Sequence, residues 1–247
     1  MRFPARSDPG ERKSMNQDIR ISPCGDQALM VMFEQRISEE IHRQVMRLDG
    51  LLREDPSVLE TVPAYASLLV YYDPLTESYA GMEGRIRKCL DAEGDVRETE
   101  GKRVVIPVCY GGELGPDLAF VAAHAGMTEK EAVQLHSGRE YRIYMLGFLP
   151  GFPYLGGMDP RLETPRLAAP RTLIPAGSVG IGGMQTGIYP FSSPGGWRLI
   201  GRTPVSLFRS SGPGEEKVPI YGAGDRIRFE PISPEEYHAM TRERDGC

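Results

Sequence analysis

The sequence predicts an α+β protein, a small α/β unit followed by a β-barrel, and three observations carry that reading. Between residues 19 and 90 the apolar pattern runs strand, strand, helix, strand, strand, helix. From residue 139 to residue 232 it breaks into short apolar runs joined by glycine and proline turns, the pattern of a closed or nearly closed barrel. The polar stretch DAEGDVRETEG, residues 91–101, separates the two and is the expected boundary. The expected organisation is therefore an arm over residues 1–15, a small domain over 16–95 and a barrel domain over 102–236.

The arm is polar, contains proline and has no apolar period, the composition of a disordered segment. Met15 is an alternative start of translation. The string GERKS within the arm lacks the glycine and the preceding strand of a phosphate loop, and that reading is rejected. From Ile19, IRISP turns at Cys24-Gly25-Asp26 into the apolar strand ALMVMFE. Ser38 then caps a helix in which Ile41, Val45, Leu48 and Leu52 recur at helical spacing, with Glu39 and Glu40 placed where the helix dipole favours negative charge. Residues 58–62 and 67–72 read as strands, the second stopped by Asp73-Pro74, and residues 82–90 as a second amphipathic helix. Two helices over one face of a small sheet bury its apolar side.

After the boundary, RVVIPVCY is a strand ended by Gly111-Gly112. A short helix follows over 117–125, and a second opens at Thr128, where Glu131 completes a capping-box spacing, and closes near His136-Ser137-Gly138. DRIRFEPI, residues 225–232, is the closing strand, and the polar tail after Pro234 reads as a frayed helix.

A net charge of −5 argues against a nucleic-acid coat or a membrane-surface module, and no apolar run approaches the ~18 residues of a membrane span. The first residues lack the apolar segment of a secretory signal, so a cytoplasmic location is expected. Cys24, Cys89, Cys109 and Cys247 form no CxxC pair and share no metal-type spacing with the histidines, so reduced, mostly buried thiols are expected and no zinc site.

Chemistry is sought in residues 141–208. This stretch holds 12 of the 29 glycines and six arginines against two acidic residues, so its charge is +4 while the rest of the chain sums to −9. A basic island in an acidic protein suits an anionic ligand, and arginine suits a planar carboxylate or phosphate. The same arginines can equally tie loops to backbone carbonyls. Arg166 and Arg171 stand in a backbone stiffened by Pro165, Pro170 and Pro175, and their five-residue spacing puts them on opposite faces of an extended chain, so at most one faces a ligand. Arg171 is the favoured one. Tyr144, Phe148, Phe152 and Tyr189 are candidate pocket walls, with packing in the core as the alternative. His136 either satisfies the end of its helix or transfers a proton. Gln185, with Thr186, either orients a substrate amide or holds a turn. GxSxG is absent, and GSVGIGG, residues 177–183, keeps no dinucleotide spacing, so it reads as a barrel corner or a place of close approach.

The strings VPAYASLLVYYDP, YMLGFLPGFPYLGGMDPRL, PRTLIPAGSVGIGGMQTGIYP and PGGWRLIGRTP resemble the family of 5-oxoprolinase B subunits (PxpB), also described as allophanate hydrolase subunit 1 and as the kinase inhibitor KipI. The resemblance runs in order from residue 19 to residue 232, with one departure at Phe33-Glu34, where the family pattern has glycine after the phenylalanine. It implies a small N-terminal domain and a cyclophilin-like barrel. It also implies two partners, the related PxpC and in addition PxpA, and opening of 5-oxoproline to glutamate with ATP and magnesium at a site this chain does not reveal. KipI-like members are inhibitors of a histidine kinase, and the same domains occur in urea carboxylase, a biotin-dependent function for which this chain has no MKM attachment motif. On the oxoprolinase reading, His136 and Gln185 are the catalytic candidates, and Arg166, Arg171, Tyr144, Phe148, Phe152 and Tyr189 the substrate-binding ones.

Overall fold

The computed structural model describes residues 19–36, 38–92, 101–210 and 217–245. The expected arm and most of the expected boundary lie outside the described residues. The chain divides into two compact units, Met1–Val96 and Arg97–Cys247.

The first unit contains β1 (Arg20–Pro23), β2 (Ala28–Met32), α1 (Glu39–Arg53), β3 (Val58–Pro63), β4 (Ser67–Tyr72) and α2 (Tyr79–Asp91). Its four strands form an antiparallel sheet in the order β1-β2-β4-β3. Alternation along β2 and β4 sends Leu29, Val31, Leu68, Val70 and Tyr72 to one face, and Ile41, Val45, Leu48 and Leu52 of α1 join them with Met82 and Ile86 of α2 in one core. Two helix starts differ from the sequence reading. Ser38 has the extended backbone of an N-cap, yet its side chain makes no capping hydrogen bond. α2 begins at Tyr79, before the expected residue 82, because the Ser78 hydroxyl accepts from Gly81 N–H at 3.1 Å and caps an extra turn.

The second unit runs β5 (Arg103–Tyr110), α3 (Leu118–His124), α4 (Glu129–Ser137), β6 (Glu140–Leu146), β7 (Pro153–Gly156), β8 (Arg171–Ile174), β9 (Ser178–Gly182), β10 (Gln185–Ile188), β11 (Ser193–Gly195) and β12 (Arg198–Arg202). It ends with β13 (Phe208–Ser210), β14 (Lys217–Pro219), β15 (Arg226–Pro231) and α5 (Pro234–Asp245). Seven strands close a barrel in the order β10-β7-β6-β15-β5-β12-β9, and β9 pairs with β10 to complete the ring. The closing strand β15 lies parallel to β5 and antiparallel to β6; the long chain between β5 and β15 permits that parallel pairing. Ile106, Val108, Ile143, Leu155, Ile181, Ile200, Ile227 and Phe229 belong to its core. The Thr128 capping box forms as the spacing predicts. The helix α5 carries the described chain past residue 236, the expected end of the barrel domain. β8 pairs with β11, and β13 with β14, as two separate ribbons.

Of the cysteines, Cys24 is exposed, Cys89 half-buried and Cys109 buried, all free thiols; Cys247 lies outside the described residues. The expectation of mostly buried thiols is met at Cys109, because Cys24 sits in the exposed turn between β1 and β2. Among the described residues no helix is long and apolar enough to cross a membrane.

Candidate functional site

The loop Gly147-Phe148-Leu149-Pro150-Gly151-Phe152, between β6 and β7, makes two successive turns. Leu149 N–H donates to Gly147 C=O at 2.7 Å, a three-residue turn with Phe148 at its centre. Phe148 has φ of 64°, and among the described residues it is the one non-glycine in the left-handed region. Such a conformation costs on the order of 1–3 kcal/mol and persists where the surroundings impose it. The second turn is closed by Phe152 N–H donating to Leu149 C=O at 3.0 Å, with Pro150 first and Gly151 at φ 75° second, the residues a type II turn requires. The result is a buried Phe152 beneath a Phe148 ring that is 63% exposed.

Phe152 is the centre of an edge-to-face cluster. Its ring centroid lies 5.7 Å from Phe148, 5.1 Å from Tyr154, 5.2 Å from Tyr189 and 5.4 Å from Trp197, each pair contributing roughly 0.5–1.5 kcal/mol beyond its buried area. Two strand glycines make room for it. A Cβ on Gly182 would stand 2.5 Å from the Trp197 indole, and one on Gly187 would stand 2.9 Å from the Phe152 ring. The glycines of β9 and β10 thus let two large rings approach the barrel wall.

These rings wall a recess of about 320 Å³, closed on one side by Pro170 and Gly195-Gly196. Arg166 lines it too, its guanidinium carbon 5.9 Å from the Trp197 ring centroid. Among the described residues Arg166 forms no ion pair. Burial pushes the Tyr189 phenol up to about 12, against smaller opposing effects of the Trp197 backbone and Arg166, and burial also raises Tyr154. Both phenols are therefore protonated at neutral pH, and the guanidinium is the one charge on the recess wall. An apolar body with a single negative charge suits this arrangement.

Phe148, Phe152, Tyr189 and Arg166 thus meet in one place, and four other candidates stand elsewhere. Arg171, favoured from sequence, is tied down: it donates to Asp117 Oδ1 at 2.9 Å and to Trp197 C=O at 3.4 Å. Asp117, at the start of α3, also accepts from Leu199 N–H at 2.7 Å, with Arg198 3.9 Å away. A buried carboxylate needs such partners, and Arg171 is one of them. His136 lies in the barrel core, its ring stacked 4.6 Å from Phe229, bonded through Nδ1 to the Tyr110 hydroxyl at 2.8 Å and through Nε2 to Thr186 Oγ1 at 2.9 Å. Burial, with a smaller contribution from Arg139, lowers its pKa to about 3, so the imidazole is neutral and its nitrogens are occupied. Nor does its side chain serve the end of α4, where Tyr141 Oη donates to the His136 carbonyl at 2.7 Å. The geometry gives His136 a structural bridge and no place on the recess. Gln185 sits at the β9–β10 turn opposite Gly182, and Tyr144 is buried against Gly156; neither lines the recess.

Tyr154 and Trp197 complete the walls and are legible in the sequence only as aromatic anchors, although the Gly195-Gly196 pair before Trp197 signals a close approach. Within GSVGIGG, Ser178–Gly182 form β9 and are buried, so these glycines serve the barrel wall. Among the described residues no cluster of acidic, histidine or cysteine side chains could hold a metal ion.

Residues 19–216 match the family described as carboxyltransferase domain, subdomain C and D. The chain is 41% identical to the 5-oxoprolinase B subunit of Bacillus subtilis, over 93% of this chain and 99% of that protein. It is 43% identical to the 5-oxoprolinase B subunit of Escherichia coli O157:H7, over 87% of this chain and 97% of that one. Among solved structures, a conserved uncharacterized protein of Pyrococcus horikoshii, PH0987, is 46% identical over 88% of this chain and all of its own, with a TM-score of 0.52. The urea amidolyase of K. lactis matches 92% of this chain with 16% of its own length at a TM-score of 0.77 and 19% identity, a likeness of fold alone. By the end-to-end identity with those two bacterial proteins and the match over most of its length, the chain belongs to the carboxyltransferase subdomain C and D family that includes the 5-oxoprolinase B subunits.

Proposed function

We propose that this protein is the B subunit of an ATP-dependent 5-oxoprolinase, acting with PxpC-type and PxpA-type partners to open 5-oxo-L-proline to L-glutamate. The observation that carries the reading is identity above 40% with the 5-oxoprolinase B subunits of two bacteria, over 97–99% of those chains. Similarity over whole chains, rather than over one motif, argues for the same task in the same kind of assembly. The recess supports it independently, since a neutral aromatic enclosure with one guanidinium matches a small cyclic amide bearing a carboxylate.

A lactam resists hydrolysis because its nitrogen lone pair is delocalised into the carbonyl; ATP, where it is bound, would supply the activation by phosphorylating the carbonyl oxygen with release of ADP, after which one water would add to the carbonyl carbon as the bond to nitrogen breaks and a second would release phosphate to leave the carboxylate of glutamate. This chain's part is binding and orientation.

The test is reconstitution from purified chains. This chain with the PxpA and PxpC proteins of its own source should form ADP and glutamate in step when 5-oxoproline is added, and neither when any one chain is left out. Turnover of 5-oxoproline by those two partners alone would refute the proposal.

A further inference from the structure

We infer that the aromatic recess is the substrate anchor of the assembly, in which Arg166 holds the carboxylate of 5-oxoproline against the rings of Phe152, Tyr189 and Trp197, and that the recess binds without taking part in proton transfer. The inference rests on the oxoprolinase reading and assigns to it a place and a division of labour.

Size and charge select the ligand. At about 320 Å³ the recess lies at the small end of small-molecule sites, which span roughly 300–1,000 Å³. That suits one five-membered ring with its substituent. A nucleotide would bring several negative charges to a wall with one cation and no lysine. The planar guanidinium matches a carboxylate through two parallel hydrogen bonds.

The anchor is held in place on both sides. Leu167 N–H donates to Gly196 C=O at 2.7 Å, and the Pro165 carbonyl accepts from Arg198 Nε at 3.4 Å. The backbone flanking Arg166 is thereby fastened to the segment that carries Trp197, so little ordering remains to be done on binding. The chemical silence of the wall is equally definite. Its ionisable groups are the buried Tyr189 phenol, the half-buried Tyr154 phenol and a guanidinium, and burial raises both phenols, which keep their protons near neutrality. The wall can position the lactam while its activation belongs to other chains of the assembly.

Trp197 is the chain's single tryptophan and lines the recess, which makes indole fluorescence a local reporter. This chain supplies Arg166 and the rings that would hold the ligand, so the purified full chain should show a saturable emission change with 5-oxo-L-proline. With 2-pyrrolidinone, the same ring without its carboxylate, half-saturation should rise about 10- to 100-fold, the loss expected for one charge-assisted contact. Arg166→Met should reproduce that loss for 5-oxoproline and respond equally to both ligands, while Arg166→Lys recovers part of it. In the reconstituted assembly Arg166→Met should raise KM by the same factor and leave kcat within about twofold. Absence of a saturable signal, equal affinity of the wild type for both ligands, tighter binding of a prolyl peptide, or a fall in kcat at unchanged KM would each overturn the inference. An active wild-type assembly with an unaltered KM in Arg166→Met removes the anchor and leaves the oxoprolinase reading standing; a wild-type assembly without 5-oxoproline-dependent turnover removes both. The ligand comparison on the wild-type chain decides the matter even if an arginine variant fails to fold.

Discussion

Replacing Arg171 by methionine should cost stability and spare substrate affinity, the reverse of what its place in the arginine-rich stretch suggests. The side chain is 29% exposed and donates to an Asp117 carboxylate that is 10% exposed. Its second bond, to the Trp197 carbonyl, is long at 3.4 Å and contributes little. Hydrogen bonds to charged groups contribute roughly 1.5–3 kcal/mol, and partial exposure of the guanidinium moves the figure to about 2 kcal/mol. Asp117 keeps the Leu199 N–H and the distant charge of Arg198, so the loss is not made good locally. For a unit spanning residues 97–247, at roughly 2–4 °C per kcal/mol, the melting temperature should fall by about 4–8 °C. The assay is thermal unfolding followed through Trp197, in parallel with KM for 5-oxoproline in the assembly. Asp117→Asn combined with Arg171→Met should be less than additive, since both remove the same pair. A melting temperature within about 1 °C of wild type, together with a tenfold rise in KM, would show that Arg171 holds substrate and that the tie is incidental.

The remaining predictions concern three neighbouring features. Phe148→Gly should be more stable than Phe148→Ala by about 1 kcal/mol, because both lose the ring contact and only glycine accepts the positive φ without strain; paired melting curves decide it, and equal stabilities would contradict the strained turn. Gly182→Ala drives a methyl into the Trp197 indole and should cost about 1–3 kcal/mol with a shifted tryptophan emission; an unshifted emission at wild-type stability would mean the indole sits elsewhere. His136 has a folded pKa of about 3, below its ordinary 6.5. Below pH 6.5 the unfolded chain therefore binds the extra proton, and stability contributed by the neutral imidazole is complete above that value and falls by up to roughly 1.4 kcal/mol per pH unit on going down towards 3. His136→Gln should flatten the fall in stability between pH 6.5 and 4, and an NMR titration placing the wild-type imidazole near 6.5 would contradict its burial.

Periodicity carries most of the fold. Ile41, Val45, Leu48 and Leu52 are readable as one helical stripe, and residues 67–72 as a strand, because those signals are local; the structure buries that stripe and forms that strand. The capping box at Thr128 is equally local. The barrel can be named as such, yet the parallel pairing of β15 with β5 cannot, since Arg226 and Arg103 meet across more than a hundred residues and nothing in either string states the direction of its partner. The site divides along the same line. That aromatics and arginine converge in residues 141–208 is visible in composition. Which arginine faces the recess depends on Asp117, which lies 54 residues from Arg171 and in the sequence marks only the start of a helix. The place of His136 escapes a sequence reading for a similar reason: the two hydroxyls that occupy its ring, on Tyr110 and Thr186, come from strands 26 and 50 residues away.

The most direct test of the account is a titration of this chain into fixed amounts of the PxpA and PxpC proteins proposed as its partners, with 5-oxoproline-dependent glutamate release as the signal. The account predicts a rate that starts at zero, rises to saturation at a fixed ratio of chains, and is absent when urea, bicarbonate and a biotin carrier replace 5-oxoproline. Glutamate release that is the same with and without this chain, or carboxylation of urea in its presence, would contradict it.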